Sequence, residues 1–442
     1  MPCKDLRRAV RETGRECIAL PRLRGYKLAT RRTRPPPSLV RSPNPLLATL
    51  NANPITAAIF HWPDFGIVAG VPKGGSLKLF ALVATLGFTA CVFAQEAAVP
   101  EIPFDSVPNL LKLPADLYLG EASGVAVNSK KHIFVYSRGN STGPAYAATA
   151  SQLLEFGPDG KYIREIGRNL YAWSFAHTVR VDKDDNVWAV DKGSDMIIKF
   201  NPEGRVVMVF GRKKEASDEG AEAWKHPRPP LPAIDGQFRQ PTDVTWDTQG
   251  NAFISDGYIN SRVAKYDKNG DWVKQWGSYG SGQSQFNTPH SIAADAKGNI
   301  YVADRGNRRI QVFDPDGTFL REIKINVPVP PVVHMWMGNP PNPNAPAGNA
   351  TMASGAPWAI CITPGPTQYL YSSDAYPGRI YKLTLDGQVL GTIGSMGRQL
   401  KQFGWIHEMA CPSENELYVA EILNWRVQKL LLHPTKASTS TN

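Results

Sequence analysis

Six stretches of this 442-residue chain repeat one grammar, and the repetition limits the fold more than any other feature. They begin EASGVAVNSKKHIFVYSRGN, FAHTVRVDKDDNVWAVDKGS, RQPTDVTWDTQGNAFISDGY, NTPHSIAADAKGNIYVADRG, GAPWAICITPGPTQYLYSSDA and GWIHEMACPSENELYVAEIL. Each reads apolar strand, polar turn, aromatic and β-branched strand, acidic residue, Gly/Asn loop, third strand. The third strands are LLEFGPDG, IIKFNPEG, VAKYDKNG, IQVFDPDG and IYKLTLDG, and VQKLLLHP completes the set. Period-two alternation closed by NG, DG and EG turns makes each repeat a four-stranded antiparallel unit. Units of this length repeated in a ring predict an all-β, six-bladed β-propeller over residues 120–434, with residues 435–442 as a tail.

The sixth repeat stops after its third strand, which would leave a bare sheet edge. The N-terminal segment, residues 95–119, is expected to supply the closing strand, and its apolar stretch LLKLPADLYL (110–119) is the expected donor. Turn chemistry also orients the ring. The starts of the first strands, the loops after the second strands and the connections between blades share one face. Two long connections, 211–237 and 326–356, emerge there and are placed to wall a pocket.

One position on that face carries chemistry. At the start of the first strand the blades read Ser123, His177, Thr242, His290, Trp358 and His407. First strands line the axis, so the three histidines lie on alternate blades, about 120° apart in a six-fold ring. One buried histidine is ordinarily satisfied by a backbone carbonyl. Three converging on an axis make a trigonal site with open positions, as a catalytic Zn²⁺ requires. The loop after the second strand adds Arg138, Lys192, Tyr258, Arg305 and Tyr376 on the same face. A tyrosine beside a metal and arginines is suited to act as a base, and arginine to grip a carboxylate. The acidic residues before these, Asp191, Asp256, Asp304, Asp374 and Glu421, read as turn-forming features of the repeat. His226 and His334, in the long connections, read as surface histidines.

The net charge of +10 would point to nucleic acid if it were spread over the propeller. Residues 1–94 hold 14 Lys/Arg against 4 Asp/Glu, and the remainder is neutral, with 35 of each. No nucleic-acid footprint is left. Residues 71–94 read as a secretory signal, with Lys73 and Lys78 ahead of LFALVATLGFTACVFA and cleavage expected before Gln95. Residues 1–70, Arg- and Pro-rich without a period, read as a disordered or mis-assigned extension. The chain is therefore expected to be exported, periplasmic or secreted, as a monomer without a stable membrane partner. A lipidated Cys91 or a retained signal anchor is the alternative. Of the cysteines in the exported part, Cys361 and Cys411 fall one position out of phase on the repeat, so no disulfide is expected between them.

The motifs SDGYINSR (255–262), PHS (289–291) and ADRGNRRIQ (303–311) go beyond the generic grammar. The repeats resemble NHL repeats, and the whole ring resembles the peptidyl-α-hydroxyglycine α-amidating lyases. That resemblance implies a carbon–nitrogen lyase that cleaves a peptidyl α-hydroxyglycine to a peptide amide and glyoxylate. It implies a zinc held by His177, His290 and His407, with Tyr258, Arg138 and Arg305 as catalytic residues. It also implies a structural calcium bound by backbone carbonyls and the carboxylate after the third histidine, which falls on Val125, Val179 and Glu408.

Three departures bear on the substrate. Trp405-Ile406 precede the third histidine where the family has Met-Pro, and Ile259 stands where the family has a cysteine. No copper monooxygenase domain precedes the propeller, so a separate monooxygenase is expected to supply the peptide substrate, or the substrate is another carbinolamide. Two other classes fit the repeat: a non-catalytic NHL propeller binding a protein, which needs no metal, and a metal-dependent hydrolase or lactonase. The second usually relies on Glu, Asp and Asn ligands, which this ring lacks.

Overall fold

A computed structural model describes residues 99–139, 151–214, 232–333, 335 and 350–433. The expectations for the leader, Cys91, the C-terminal tail, His226 and His334 fall outside the described residues. Among the described residues, six four-stranded sheets form the blades of a propeller, joined by one two-stranded pairing of Ser395–Met396 with Gln402–Phe403. No described helix is long and apolar enough to cross a membrane.

Blade 1 shows how sequence becomes sheet. Ala122–Val127, Ile133–Ser137, Gln152–Phe156 and Tyr162–Ile166 pair antiparallel in chain order. Buried residues dominate the first three strands, while the fourth alternates toward solvent. The turns follow their chemistry. Gly250 (φ 86°) and Gly298 (φ 85°) take the left-handed backbone that their hairpins demand.

Packing is distributed in six layers, one between each pair of neighbouring blades, instead of in a central core. Tyr136, Leu153, Trp173 and Phe200 fill the layer between blades 1 and 2, and Leu417, Val419, Tyr371 and Ile380 that between blades 5 and 6. Each large side chain so buried contributes roughly 1.5–3 kcal/mol. The axis is thereby left to the inner strands: Ala122–Val127, Ala176–Val181, Asp243–Trp246, Pro289–Ala294, Ile360–Ile362 and Ile406–Ser413.

Two expectations are corrected. The ring is closed by Phe104–Ser106, which pairs with Arg426–Leu432 as the outermost strand of blade 6, and not by residues 110–119. Ser106 Oγ donates to Gln428 Oε1 at 2.6 Å across the seam. The stretch 110–119 runs instead along blade 1, where Lys112 bridges Lys161 and Leu110, Leu111, Leu113 and Leu117 pack against the buried cluster that contains Phe156. Its leucines spend themselves on packing, and a closing strand needs only backbone pairing.

The second correction concerns Cys361 and Cys411, which are joined as a disulfide with Cα atoms 6.1 Å apart. The pairing of Ile406–Ser413 shifts register between Ala410 and Ser413. That bulge resets the side-chain alternation, so the phase counted from the repeat no longer holds at Cys411.

Candidate active site

Bulges aim the central side chains. The inner strands of blades 1, 2, 4 and 6 shift register at Ala122/Gly124, Ala176/Thr178, Pro289/Ser291 and Ile406/Glu408. The residues inside these shifts are Ser123, His177, His290 and His407. Freed from the ladder, each histidine turns to the axis.

The next blade then fixes each ring. His177 Nδ1 donates to the carbonyl of Thr242 at 2.6 Å, His290 Nδ1 to that of Trp358 at 2.7 Å, and His407 Nδ1 to that of Ser123 at 2.8 Å. All three acceptors occupy the ring position of the following blade. A carbonyl accepts only from N–H, so the proton sits on Nδ1 and Nε2 keeps its lone pair. The three ligand atoms lie within 4.8 Å of one another, and the ring centroids are 4.6–4.9 Å apart. Burial holds all three imidazoles well below their ordinary pKa, with neighbouring histidines and cations adding to it. They are neutral, the form in which imidazole can bind a metal.

Tyr258 joins them. Its hydroxyl lies 3.3 Å from His177 Nε2 and 3.2 Å from His290 Nε2. Burial alone would push the phenol up. Lys192, Arg305 and Arg138 together outweigh it and lower its pKa. Lys192 Nζ stands 3.9 Å from the Tyr258 ring centroid, and the Arg305 guanidinium 5.5 Å from it.

The two arginines are held differently. Arg138 is committed on several sides: it pairs with Glu121, donates to the Ala176 carbonyl at 3.1 Å and stacks 3.9 Å over Phe175. Arg305 is only 6% exposed and lies 3.9 Å over the Trp358 ring. Its Nε and Nη1 are buried without a hydrogen-bond partner. Buried, unpartnered guanidinium donors are costly unless a ligand satisfies them. Trp358 and Trp405 meet edge to face at 4.8 Å beside His290 and form an aromatic wall. The described part of the 326–356 connection supports that wall, since Trp358 Nε1 donates to the Thr351 carbonyl at 2.7 Å.

Val125, Val179 and Glu408 also come together, one level below the histidines, but not as a cation site. Glu408 Oε2 accepts from the amides of Val125 (3.2 Å) and Val179 (3.0 Å), while Glu408 Oε1 accepts no hydrogen bond and forms an ion pair with Arg180, 3.0 Å from its Nε. The groups turned to this carboxylate are donors and a positive charge, so the residues present do not fit the calcium implied by the resemblance. Sequence reasoning missed Arg180. The signal was there: three residues after the ring position the blades read Ala126, Arg180, Thr245, Ala293, Cys361 and Ala410, with a single charge among small side chains. Glu121 and Phe175, which hold Arg138, carried no such signal.

The repeat carboxylates have their oxygens occupied. Asp191 accepts from the Ser174, Phe175 and Ser194 amides, and Asp374 from those of Gly355, Gly378 and Arg379. Asp256, Asp304 and Glu421 each pair with an arginine of the following strand.

The profile described as NHL repeat matches residues 286–313. Peptidyl-glycine alpha-amidating monooxygenase of Mus musculus is 31% identical over 254 residues, covering 51% of this chain and 24% of that protein. Peptidyl-alpha-hydroxyglycine alpha-amidating lyase 1 of Drosophila melanogaster is 27% identical over 283 residues, covering 62% of this chain and 47% of that protein. The chain thus spans about a quarter of the first relative and half of the second. Among solved structures, virginiamycin B lyase from Staphylococcus aureus aligns with a TM-score of 0.45 at 13% identity, covering 71% of this chain and 95% of that one, and bears no functional weight. The resemblance first seen in SDGYINSR, PHS and ADRGNRRIQ is supported by these relatives.

Proposed function

We propose that this homologue of the α-amidating lyases is itself a metal-dependent carbon–nitrogen lyase, acting on a peptidyl α-hydroxyglycine or a closely related carbinolamide. The observation that carries the reading is the convergence of Tyr258 on two of three neutral histidines, beside an arginine with unpartnered buried donors. The donor set fits zinc: three imidazole nitrogens, each with its tautomer fixed, and open positions left over. When bound to His177, His290 and His407, a Zn²⁺ would supply Lewis acidity that lowers the cost of ionising a substrate hydroxyl.

The chain's own residues would do the rest. Tyr258, ionised under the influence of Lys192, Arg305 and Arg138, takes the α-hydroxyl proton. The oxygen's electron pair forms the aldehyde carbonyl of glyoxylate while the C–N bond breaks. The nitrogen carries away that electron pair and regains the proton from Tyr258, leaving a peptide amide. Arg305, whose Nε and Nη1 have no partner in the protein, draws in the substrate carboxylate and is held in place by stacking on Trp358. The amide-bearing portion lies along Trp358 and Trp405. An exported monomer supplied by a separate monooxygenase is the cellular setting we propose.

The test is glyoxylate release from an α-hydroxyglycine peptide by protein of known zinc content. Zinc-loaded protein that releases none, while cleaving another carbinolamide, would move the substrate class. Zinc-loaded protein inert to both would leave the binding-propeller reading.

A further inference from the structure

The centre of the ring below the histidines is occupied by part of the chain. Arg180 leaves the inner strand of blade 2 and lays its guanidinium across the axis. Nε and Nη2 reach the Asp243 carboxylate of blade 3 at 2.9 and 2.6 Å. Nε also faces Glu408 Oε1 of blade 6 at 3.0 Å. Nη1 donates to the Met409 carbonyl at 3.1 Å, and Nη2 reaches Ser291 Oγ of blade 4 and the Ile360 carbonyl of blade 5, each at 3.3 Å. Glu408 brings in the remaining blade through the Val125 amide. Blades 3 and 6 are diametrically opposite in a six-membered ring, so one cation bridges two carboxylates across the axis.

The surroundings are built for this charge. The Asp243 and Glu408 side chains are 0% and 1% exposed. Two carboxylates so deeply buried are costly as anions, and a positive partner lowers that cost. Gly124 leaves the space, since a Cβ there would meet Glu408 Oε2 at 2.7 Å. Ser291 Oγ donates to Asp243 Oδ2 at 2.8 Å and so fixes the second carboxylate. Below the guanidinium lies an axial cavity of about 210 Å³, lined by Val125, Val244, Ile292 and the Cys361–Cys411 pair.

We infer that Arg180 is a built-in substitute for a structural divalent cation: its guanidinium pairs with Asp243 and Glu408 and ties the six inner strands together, so this propeller needs no calcium. The substitution is chemically reasonable. A hard cation would gather carboxylate and carbonyl oxygens, and Arg180 gathers that same mix with its fork of N–H donors.

The experiment uses the full exported chain, dialysed without chelator so that any zinc stays in place. Elemental analysis is expected to find fewer than about 0.1 calcium per chain, and about 5 mM Ca²⁺ is expected to leave the melting temperature unchanged. About one calcium per chain, or a wild-type melting temperature that climbs with Ca²⁺, would overturn the inference. In Arg180→Met the length is kept and the charge lost. Its melting temperature is expected to fall by on the order of 10 °C, because two buried carboxylates lose their partner, and Ca²⁺ is expected to restore part of that loss. An Arg180→Met protein as stable as wild type, or one indifferent to Ca²⁺, would refute the equivalence. Should that variant not fold, Arg180→Met with Glu408→Gln removes one of the stranded charges, and the wild-type calcium measurements decide the question without it. None of these readings depends on turnover, so they stand apart from the proposed lyase activity.

Discussion

The phenolic oxygen of Tyr258 lies 3.2 Å from Nε2 of His290. Two residues from different blades therefore share one small volume at the axis, and each can be removed separately.

Tyr258→Phe deletes only the hydroxyl. The fold and the metal content should persist, while kcat for glyoxylate release should fall by about 10²–10⁴, the usual size of a general-base contribution. A rise in KM with kcat unchanged would make the residue a binding group.

His290→Ala removes one of three ligands and strands the Trp358 carbonyl. Zinc content measured after dialysis should drop from about one per chain to nearly none, since two imidazoles hold the ion poorly. Unchanged zinc would dismiss the trigonal centre.

Arg305→Ala and Arg138→Ala should differ. Arg305 offers buried donors with no partner, so its loss should lower kcat/KM by about 10- to 100-fold, the worth of a charged hydrogen bond. The effect should shrink for a substrate analogue whose carboxylate is replaced by an amide. Arg138, paired with Glu121, should matter less for that distinction. Equal sensitivity to the carboxylate in both variants would reverse the assignment.

The disulfide gives a measurement independent of activity. A denatured chain beginning at Gln95 should show no free thiol before reduction and two after it. Cys361→Ala with Cys411→Ala should cost about 2–4 kcal/mol of stability. Two free thiols before reduction would restore the original expectation of unpaired cysteines.

Asp182 supplies the pH prediction. Burial pushes its carboxyl up, but the Trp188 indole, the Asn186 amides and the Asp184 amide donate to it and hold its pKa below 3.8. A depressed folded pKa means stabilisation that is complete above about pH 4 and lost as pH falls further. Asp182→Asn should therefore be less stable by about 1–3 kcal/mol at pH 7, and the gap should narrow below pH 4. A gap independent of pH would show that charge is not involved.

What the chain disclosed in advance depended on periodicity. Position within a repeat is countable, so His177, His290 and His407 were legible as one ring, and SDGYINSR put Tyr258 on their face. The count failed where the backbone leaves the period. The bulge at Ala410–Ser413 returned Cys411 to the side of Cys361. Phe104–Ser106 carries too little pattern to be read as a strand, and the leucine-rich stretch after it was the more conspicuous candidate. Arg180 was countable as a lone charge, but its reach across the axis to Asp243 and Glu408 depends on side-chain length, which a repeat alignment does not measure.

The clasp at Phe104–Ser106 has a consequence for how the molecule comes into being. Its partner, Arg426–Leu432, is the last strand in chain order among the described residues. Blades 1 to 5 can each assemble their own hairpins as they emerge, because their strands are neighbours in the chain. The seam alone must wait for both ends, and until it forms the outer edge of blade 6 offers unpaired amides and carbonyls to any other chain nearby. A chain lacking Arg426–Leu432 would thus be an open arc with a sticky rim.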